Sequence, residues 1–255
     1  MSTLKKKLPV SKSKTKPKAG AKKPKPPVSK IGTMKESSLH RKLKFSYAGR
    51  GGQTEVAAGE YIADGRRKDG EYIEIQTGSF APLAGKVKEL AAAGSVRIIH
   101  PIGVSKVIEV YEPGNPYGAM LYRRKSPLKG TQWNIFDALL HAPLLPLTPG
   151  LKIEIVFVDI LEKRIKDGKG SWRRKGVSLH DKELATLHES ILLEKPADYL
   201  RFVPFKKKEE FTSASFAKST GISTDTARKV LYVLTKMKVV KRMGKTGNSW
   251  VYVRM

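Results

Sequence analysis

The chain reads as an α/β protein: a mixed sheet with flanking helices, then a small module of two helices and a hairpin, behind a lysine-rich tail. Three observations predict this. Apolar segments of strand length, at Thr54–Ala63, Tyr72–Gln76, Val96–Ile99, Lys106–Tyr111 and Leu151–Val158, alternate with stretches of helical period. Residues 210–255 instead place two helix patterns before two alternating segments. Residues 1–35 hold twelve lysines, five prolines and no acidic residue. With no apolar periodicity to support a core, that tail is expected to be disordered.

Taken in order, Glu36 to Tyr47 carries Leu39, Leu43 and Tyr47 on one helical stripe, and Gly49-Arg50-Gly51-Gly52 stops it. The first extended segment leads to Asp64. Gly65-Arg66-Arg67-Lys68-Asp69-Gly70 then supplies turn chemistry before Tyr72–Gln76. Pro82 suits a first helical turn, and Leu83, Val87, Leu90 and Ala91 continue at helical spacing to Gly94. Pro113–Gly118 reads as a loop, and Arg123–Gly130 as a basic one. Its Arg124, Lys125 and Lys129 suit backbone phosphates, or are merely solvated. Trp133 to Leu140 reads as a helix. In Gly168–Gly176, Arg173 and Arg174 follow Trp172, a combination able to hold a phosphate and stack a base, although a lone tryptophan more often packs. Leu184, Leu187, Ile191 and Leu192 suggest a helix over Glu183–Lys195. On that reading residues 181–209 form a helical linker between a body at 36–180 and a module at 210–255.

The C-terminal module is the cleanest part. Ser215–Thr220 is a short helix ending at Gly221, and Ser223 is a suitable N-cap for a helix to Met237. Val239–Met243 and Trp250–Arg254 form a hairpin around Gly244–Asn248. This is the order of a winged helix-turn-helix, whose second helix enters the major groove through its N-terminal residues. Here those are Ser223, Thr224, Thr226, Arg228 and Lys229, with Arg242 and Lys245 on the wing. Residues 206–255 carry twelve cations against three anions, so DNA contact is expected.

The strongest chemical signal is Asp64 ahead of Glu74-Ile75-Gln76. Side chains alternate along a strand, so Glu74 and Gln76 point the same way. Carboxylates on two neighbouring strands suit a hard divalent cation, which uses only one or two protein carboxylates. The competing reading is a solvated hairpin face.

Asp64, a hairpin, Glu74-x-Gln76 and a following helix resemble the PD-(D/E)XK nuclease superfamily. Ser38-Leu39-His40, Glu55, Gly59, Ile73–Phe80, Arg124–Pro127 and Trp172–Arg174 resemble, more closely, a bacterial family that joins such a domain to a C-terminal winged helix. The resemblance implies a restriction-endonuclease-like fold with a core of helix, three strands, helix and strand. It implies a magnesium- or manganese-dependent deoxyribonuclease in which Asp64 and Glu74, joined by Glu55, hold the metal. Gln76 stands where the superfamily has lysine. It can orient a water but supplies no charge, and Lys86, one turn into the next helix, is either the candidate cation or, the reading more common for such a lysine, simply solvated. His40 either faces the cleft or bonds backbone in the core. The rival functions are a noncatalytic winged-helix DNA-binding protein with a degenerate nuclease fold, and an RNA- or ribosome-associated factor.

Composition sets the partners. The net charge of +27 attracts polyanions, and +15 of it remains without the tail. The expected partner is DNA, with no membrane and no small-molecule cofactor, in a chain free to act as a homodimer. There is no cysteine, so no disulfide framework or thiolate zinc site. No apolar run nears the roughly 20 residues of a membrane span, and no apolar segment follows the basic N-terminus as in a secretory signal. A cytoplasmic location is expected. No phosphate-binding loop of the Gly-x-x-x-x-Gly-Lys-Ser/Thr type occurs, which argues against an NTP-driven motor.

Overall fold

The computed structural model describes residues 36–114, 117–170 and 172–255. The lysine-rich segment 1–35, expected to be disordered, lies outside the described residues. The rest is mixed α/β, with a seven-stranded sheet flanked by helices and a three-stranded sheet near the C-terminus. Among the described residues, no helix is long and apolar enough to cross a membrane.

Helix α1 (Ser38–Ala48) starts where the Ser37 hydroxyl accepts from the His40 N–H, and it stops at Gly49. The extended segment expected over Thr54–Ala63 is two strands, β1 (Gln53–Ala58) and β2 (Tyr61–Arg66). Gly59 divides them with φ 58°, a left-handed conformation that favours glycine. Asp64 is accordingly inside β2 rather than at its end. The turn to β3 (Tyr72–Ile75) is short, closed by Gly70 at φ 92°. β1, β2 and β3 form an antiparallel meander. A 3₁₀ turn with Pro82 leads into α2 (Ala84–Ala93), which crosses to β4 (Val96–Tyr111), parallel to β3.

β4 replaces two expected short strands with one of 16 residues. Pro101 suggested a break, yet it is tolerated. The carbonyl of Ile99 accepts from Gln76 at the last rung toward β3, so Pro101, two residues on, faces the same edge after β3 has ended. Its missing N–H interrupts no ladder there. On its other edge β4 pairs in parallel with β6 (Leu151–Ile165), the buried central strand. Beyond β3, the freed edge of β4 takes β5 (Met120–Lys125), so Arg124 and Lys125 sit on a strand and not in the expected loop.

The helix expected over Glu183–Lys195 is instead part of β7 (Ser178–Leu193), antiparallel to β6 at the sheet edge. Its pairing shifts register three times. Each shift offsets the alternation of side chains, and the remaining apolar residues mimic a helical period. Residues 181–209 are therefore not a helical linker: β7 extends the main sheet, and a 3₁₀ stretch at Pro196–Phe202 follows it.

α1 covers one face of the sheet, over Leu39, Leu43, Ile73, Ile75, Ile99, Val156 and Val158. The other face is covered by α2, by α3 (Ile135–Leu139) and by the C-terminal elements, in one continuous core. Those elements are β8 (Glu210–Thr212), α4 (Ser213–Thr220), α5 (Thr224–Lys236), β9 (Val240–Thr246) and β10 (Ser249–Arg254). Their strands are ordered β8-β10-β9. Thr212 and Ser223 cap α4 and α5, and Gly221 at φ 70° turns between them. Trp133, Phe136, Phe202 and Phe216 interlock where α4 and α5 meet the body.

Candidate active site and basic surfaces

The site gathers where the pairing of β2 with β3 stops, in the middle of β2 and toward the end of β3. Gly65 and Ile73 are the last paired residues toward that end, and one step further the ladder gives way to side chains. The Asp64 N–H donates to Glu74 Oε1 at 3.2 Å, and the Ile75 N–H donates to Asp64 Oδ2 at 2.8 Å. Each carboxylate is thus fixed by the backbone of the neighbouring strand. Ile73 and Ile75 pack under α1, so Glu74 between them turns toward α2. There Lys86 Nζ meets the Glu74 carboxylate at 2.6 Å.

α1 approaches from the other side. His40 Nε2 lies 3.4 Å from Asp64 Oδ2 and 3.0 Å from the Ile75 carbonyl, so both readings of His40 hold together. Its Nδ1 pairs with Glu36. Lys44 Nζ lies 2.8 Å from Glu36, 3.4 Å from Glu55 and 4.0 Å from Asp64. Glu55 holds φ 56°, a left-handed conformation unusual for a side-chain-bearing residue and concentrated at functional sites.

Burial and charge set the protonation of this cluster. Burial, then the charge of Asp64, push Glu74 above the usual carboxylate range, against the pull of Lys86. Burial would raise Asp64 too, but hydrogen bonds from His40 and the Ile75 N–H, with the charges of His40 and Lys86, hold it low. For His40, burial acts downward, yet the hydrogen bond and charge of Asp64, with Glu36 and the Ile75 carbonyl, raise it to about 9. A group raised on folding stabilises fully below its unfolded pKa, and that contribution is lost as pH rises through the folded one. His40→Ala should therefore lower stability at pH 7 and cost less at pH 10. The His40 ring protons should titrate by NMR near pH 9; a midpoint at the ordinary 6.5 would contradict the ion pair.

Two expectations need correction. Glu55 does not join Asp64 and Glu74: Lys44 takes its carboxylate, and among the described residues no group of three or more His, Cys, Asp or Glu is placed to hold a metal. Asp64 and Glu74 remain the two carboxylates brought together on neighbouring strands. Gln76 is drawn aside, its amide donating to the Ser79 carbonyl at 2.6 Å. Sequence reasoning missed Glu36 and Lys44. Both sit on or beside the α1 face that also carries His40, and that helical spacing was the available signal.

The basic residues fall into three places. Arg124 and Lys125 pair with Ile108 and Val107 on β4. That puts them up to about 30 Å along the strand from the rung of Glu74, not beside it. Lys129 is closer, because the chain returns along β4 and Gly130 donates to the Gly103 carbonyl. Trp172 is 83% exposed, with the Arg173 guanidinium over its ring; it does not pack, and Arg174 is exposed beside it. On α5, Thr226 bonds the Ser223 hydroxyl, Arg228 pairs with Asp225, and Thr224 is exposed. Lys229 faces the body, 2.7 Å from Asp137. Arg242 and Lys245 are exposed on the β9–β10 hairpin.

A family model described as "Domain of unknown function (DUF8091)" matches residues 37–194. The chain belongs to this family. The match runs from the N-cap of α1 to the residue after β7, so the family's domain is the seven-stranded sheet with its helices, without the C-terminal module. A protein of Treponema pallidum (strain Nichols) described as "Uncharacterized protein" is 29% identical over 160 residues, 63% of this chain and 62% of its own length. The chain thus spans less than two thirds of that relative. No solved structure matches the chain.

Proposed function

We propose that the family domain is a metal-dependent deoxyribonuclease of the PD-(D/E)XK type, joined to a winged helix that holds DNA, and that it acts in the cytoplasm. The observation that carries this is the locked pair Asp64 and Glu74, on adjacent strands, with Lys86 on Glu74. The element order supports it: α1, an antiparallel β1–β2–β3 meander, α2, then β4 parallel to β3, which is the helix, three strands, helix, strand order of that superfamily.

Asp64 and Glu74 would hold magnesium or manganese, which would activate water and neutralise charge on a phosphodiester. The chain's own groups do the rest. Lys86 brings the positive charge that Gln76 lacks. The backbone N–H groups of Asp64 and Ile75 fix both carboxylates before any ligand arrives. His40, the Ile75 N–H and the charge of Lys86 hold Asp64 ionised. In the C-terminal module, Thr224, Thr226 and Arg228 would face the major groove while Arg242 and Lys245 take phosphates. Lys229 leaves this set, being held by Asp137.

Nicking of supercoiled DNA with magnesium or manganese tests the reading. Asp64→Ala and Glu74→Ala should each lower the rate at least about a hundredfold, since a metal supplies several kcal/mol of transition-state stabilisation. Cleavage indifferent to both changes would remove the reading. One observation favours a second one, a DNA-binding protein with a silent nuclease fold: both carboxylates already have cationic partners, Lys86 on Glu74 and His40 on Asp64. It predicts tight, salt-sensitive binding without nicking.

A further inference from the structure

The three tryptophans of the chain occupy different settings. Trp133 belongs to the aromatic joint with Phe136, Phe202 and Phe216. Trp172 is one of the basic-loop residues already described. Trp250, on β10, is 40% exposed and carries two cations: the Arg242 guanidinium 4.7 Å from its ring centre and Lys245 Nζ at 4.8 Å. Arg242 also lies 5.9 Å from the ring of Tyr252. The register explains the arrangement, because Trp250 is opposite Lys245 and Tyr252 is opposite Arg242. Tyr252 is buried in the core beside Phe211, and Trp250, two residues nearer the hairpin tip, is the exposed ring.

A cross-strand cation–aromatic pair can exist only to hold a hairpin together. Two facts point further. Residues 238–255 include five lysines and arginines and no acidic residue. Nor does Arg242 or Lys245 meet a carboxylate in any described ion pair; aromatic faces are their contacts. Cations without carboxylates beside an exposed indole match a strand of nucleic acid, phosphates on the cations and a base on the ring. Within a duplex the base faces are covered by their neighbours, so an indole can take only a base that is unpaired.

We propose that Trp250 is a stacking platform for an unpaired nucleotide, with Arg242 and Lys245 on the flanking phosphates. Lys245, on a flexible stem next to the hairpin tip, leaves the ring for a phosphate and frees a face. The C-terminal module then favours a junction between duplex and single strand over a continuous duplex. This rests on nucleic-acid binding by that module and not on cleavage.

The test is binding of the full chain, in EDTA at fixed salt, to four oligonucleotides: a single-stranded DNA, an RNA of equal length, a forked duplex and a blunt duplex. Trp250→Ala should weaken the three ligands with unpaired bases about tenfold and the blunt duplex less than about twofold. Trp250→Phe should keep most of the affinity. Indole fluorescence of Trp172→Phe should be quenched by the single strands, and that quenching should vanish when Trp250→Phe is made on this background, where half-buried Trp133 still reports on folding. The tighter of DNA and RNA identifies the strand. Equal losses on all four ligands, or none, overturn the proposal while leaving nucleic-acid binding intact; absence of binding to any ligand removes both.

Discussion

Replacing Lys86 with methionine is expected to destabilise the protein by about 3 kcal/mol at pH 9 and far less near pH 6. Glu74 is 2% exposed and Lys86 Nζ lies 2.6 Å from its carboxylate. Removing one partner of a buried pair leaves the other charge uncompensated, at roughly 3–5 kcal/mol. The low end applies because Glu74 has an alternative: it can take a proton. Its pKa is already raised by burial and by Asp64, with Lys86 acting against them. Without Lys86 it rises further. A carboxyl raised on folding keeps its full contribution to stability below the unfolded pKa and loses it as pH rises through the folded one. Both proteins should therefore lose stability from the unfolded pKa upward, but the wild type levels off near its folded pKa of about 7 while the variant keeps falling, so the difference opens between pH 7 and pH 9 by about 1.4 kcal/mol per pH unit. Denaturant unfolding of both proteins across that range measures this. A difference independent of pH would mean that packing of the lysine stem, not the ion pair, is what was lost.

The same substitution separates structure from chemistry. If Lys86 supplies the charge missing at Gln76, nicking should fall in Lys86→Met even at pH 5.5, where stability is nearly restored. If Lys86 only neutralises Glu74, activity should follow the folded fraction. The network of Glu36, His40, Lys44, Asp64, Glu74 and Lys86 is costly to bury and is held together by opposite charges. On the proposed reading, this network keeps Asp64 ionised and Glu74 ready to take a cation in place of Lys86.

Much of this was legible in the residues. Asp64 and Glu74 could be paired from the turn between them, because alternation and a short hairpin leave little freedom in register. Lys86 followed from one helical turn after Pro82. Helices α4 and α5 were readable because N-caps, Gly221 and an apolar stripe all agreed. Three things were hidden for physical reasons. Gly59 could be named only as a possible divider of the first extended segment, because its left-handed φ of 58° is set by the fold. Pro101 reads as a breaker, and only the end of β3 makes it harmless. β7 looks helical because its bulges scramble a period of two into one near 3.6. Glu55 illustrates the limit for the site: its identity suggested a ligand, while Lys44, distant in no obvious pattern, decided its partner.

Phe202→Ala is expected to lower the melting temperature of the whole described chain by roughly 6–20 °C, in a single transition. Phe202 is 1% exposed and faces Trp133 at 5.7 Å, Phe136 at 5.0 Å and Tyr199 at 6.2 Å between ring centres. Truncating a buried phenylalanine costs about 3–5 kcal/mol through lost burial and the cavity left behind. For a body of this size each kcal/mol shifts the midpoint by about 2–4 °C. The single transition follows from the core itself. Residues of β4, β6, α3, the 3₁₀ stretch and α4 and α5 belong to one buried cluster, with Lys229 and Asp137 bridging α5 to α3 outside it. The family match stops at residue 194, yet the C-terminal module is not an independent bead behind it. Calorimetry and near-ultraviolet circular dichroism of the variant should report coincident loss of structure in body and module. Two separated transitions would instead make the joint a hinge, with the module free to move over the main sheet. A coincident loss means that any nucleic acid held by the hairpin stands at a fixed position relative to Asp64 and Glu74.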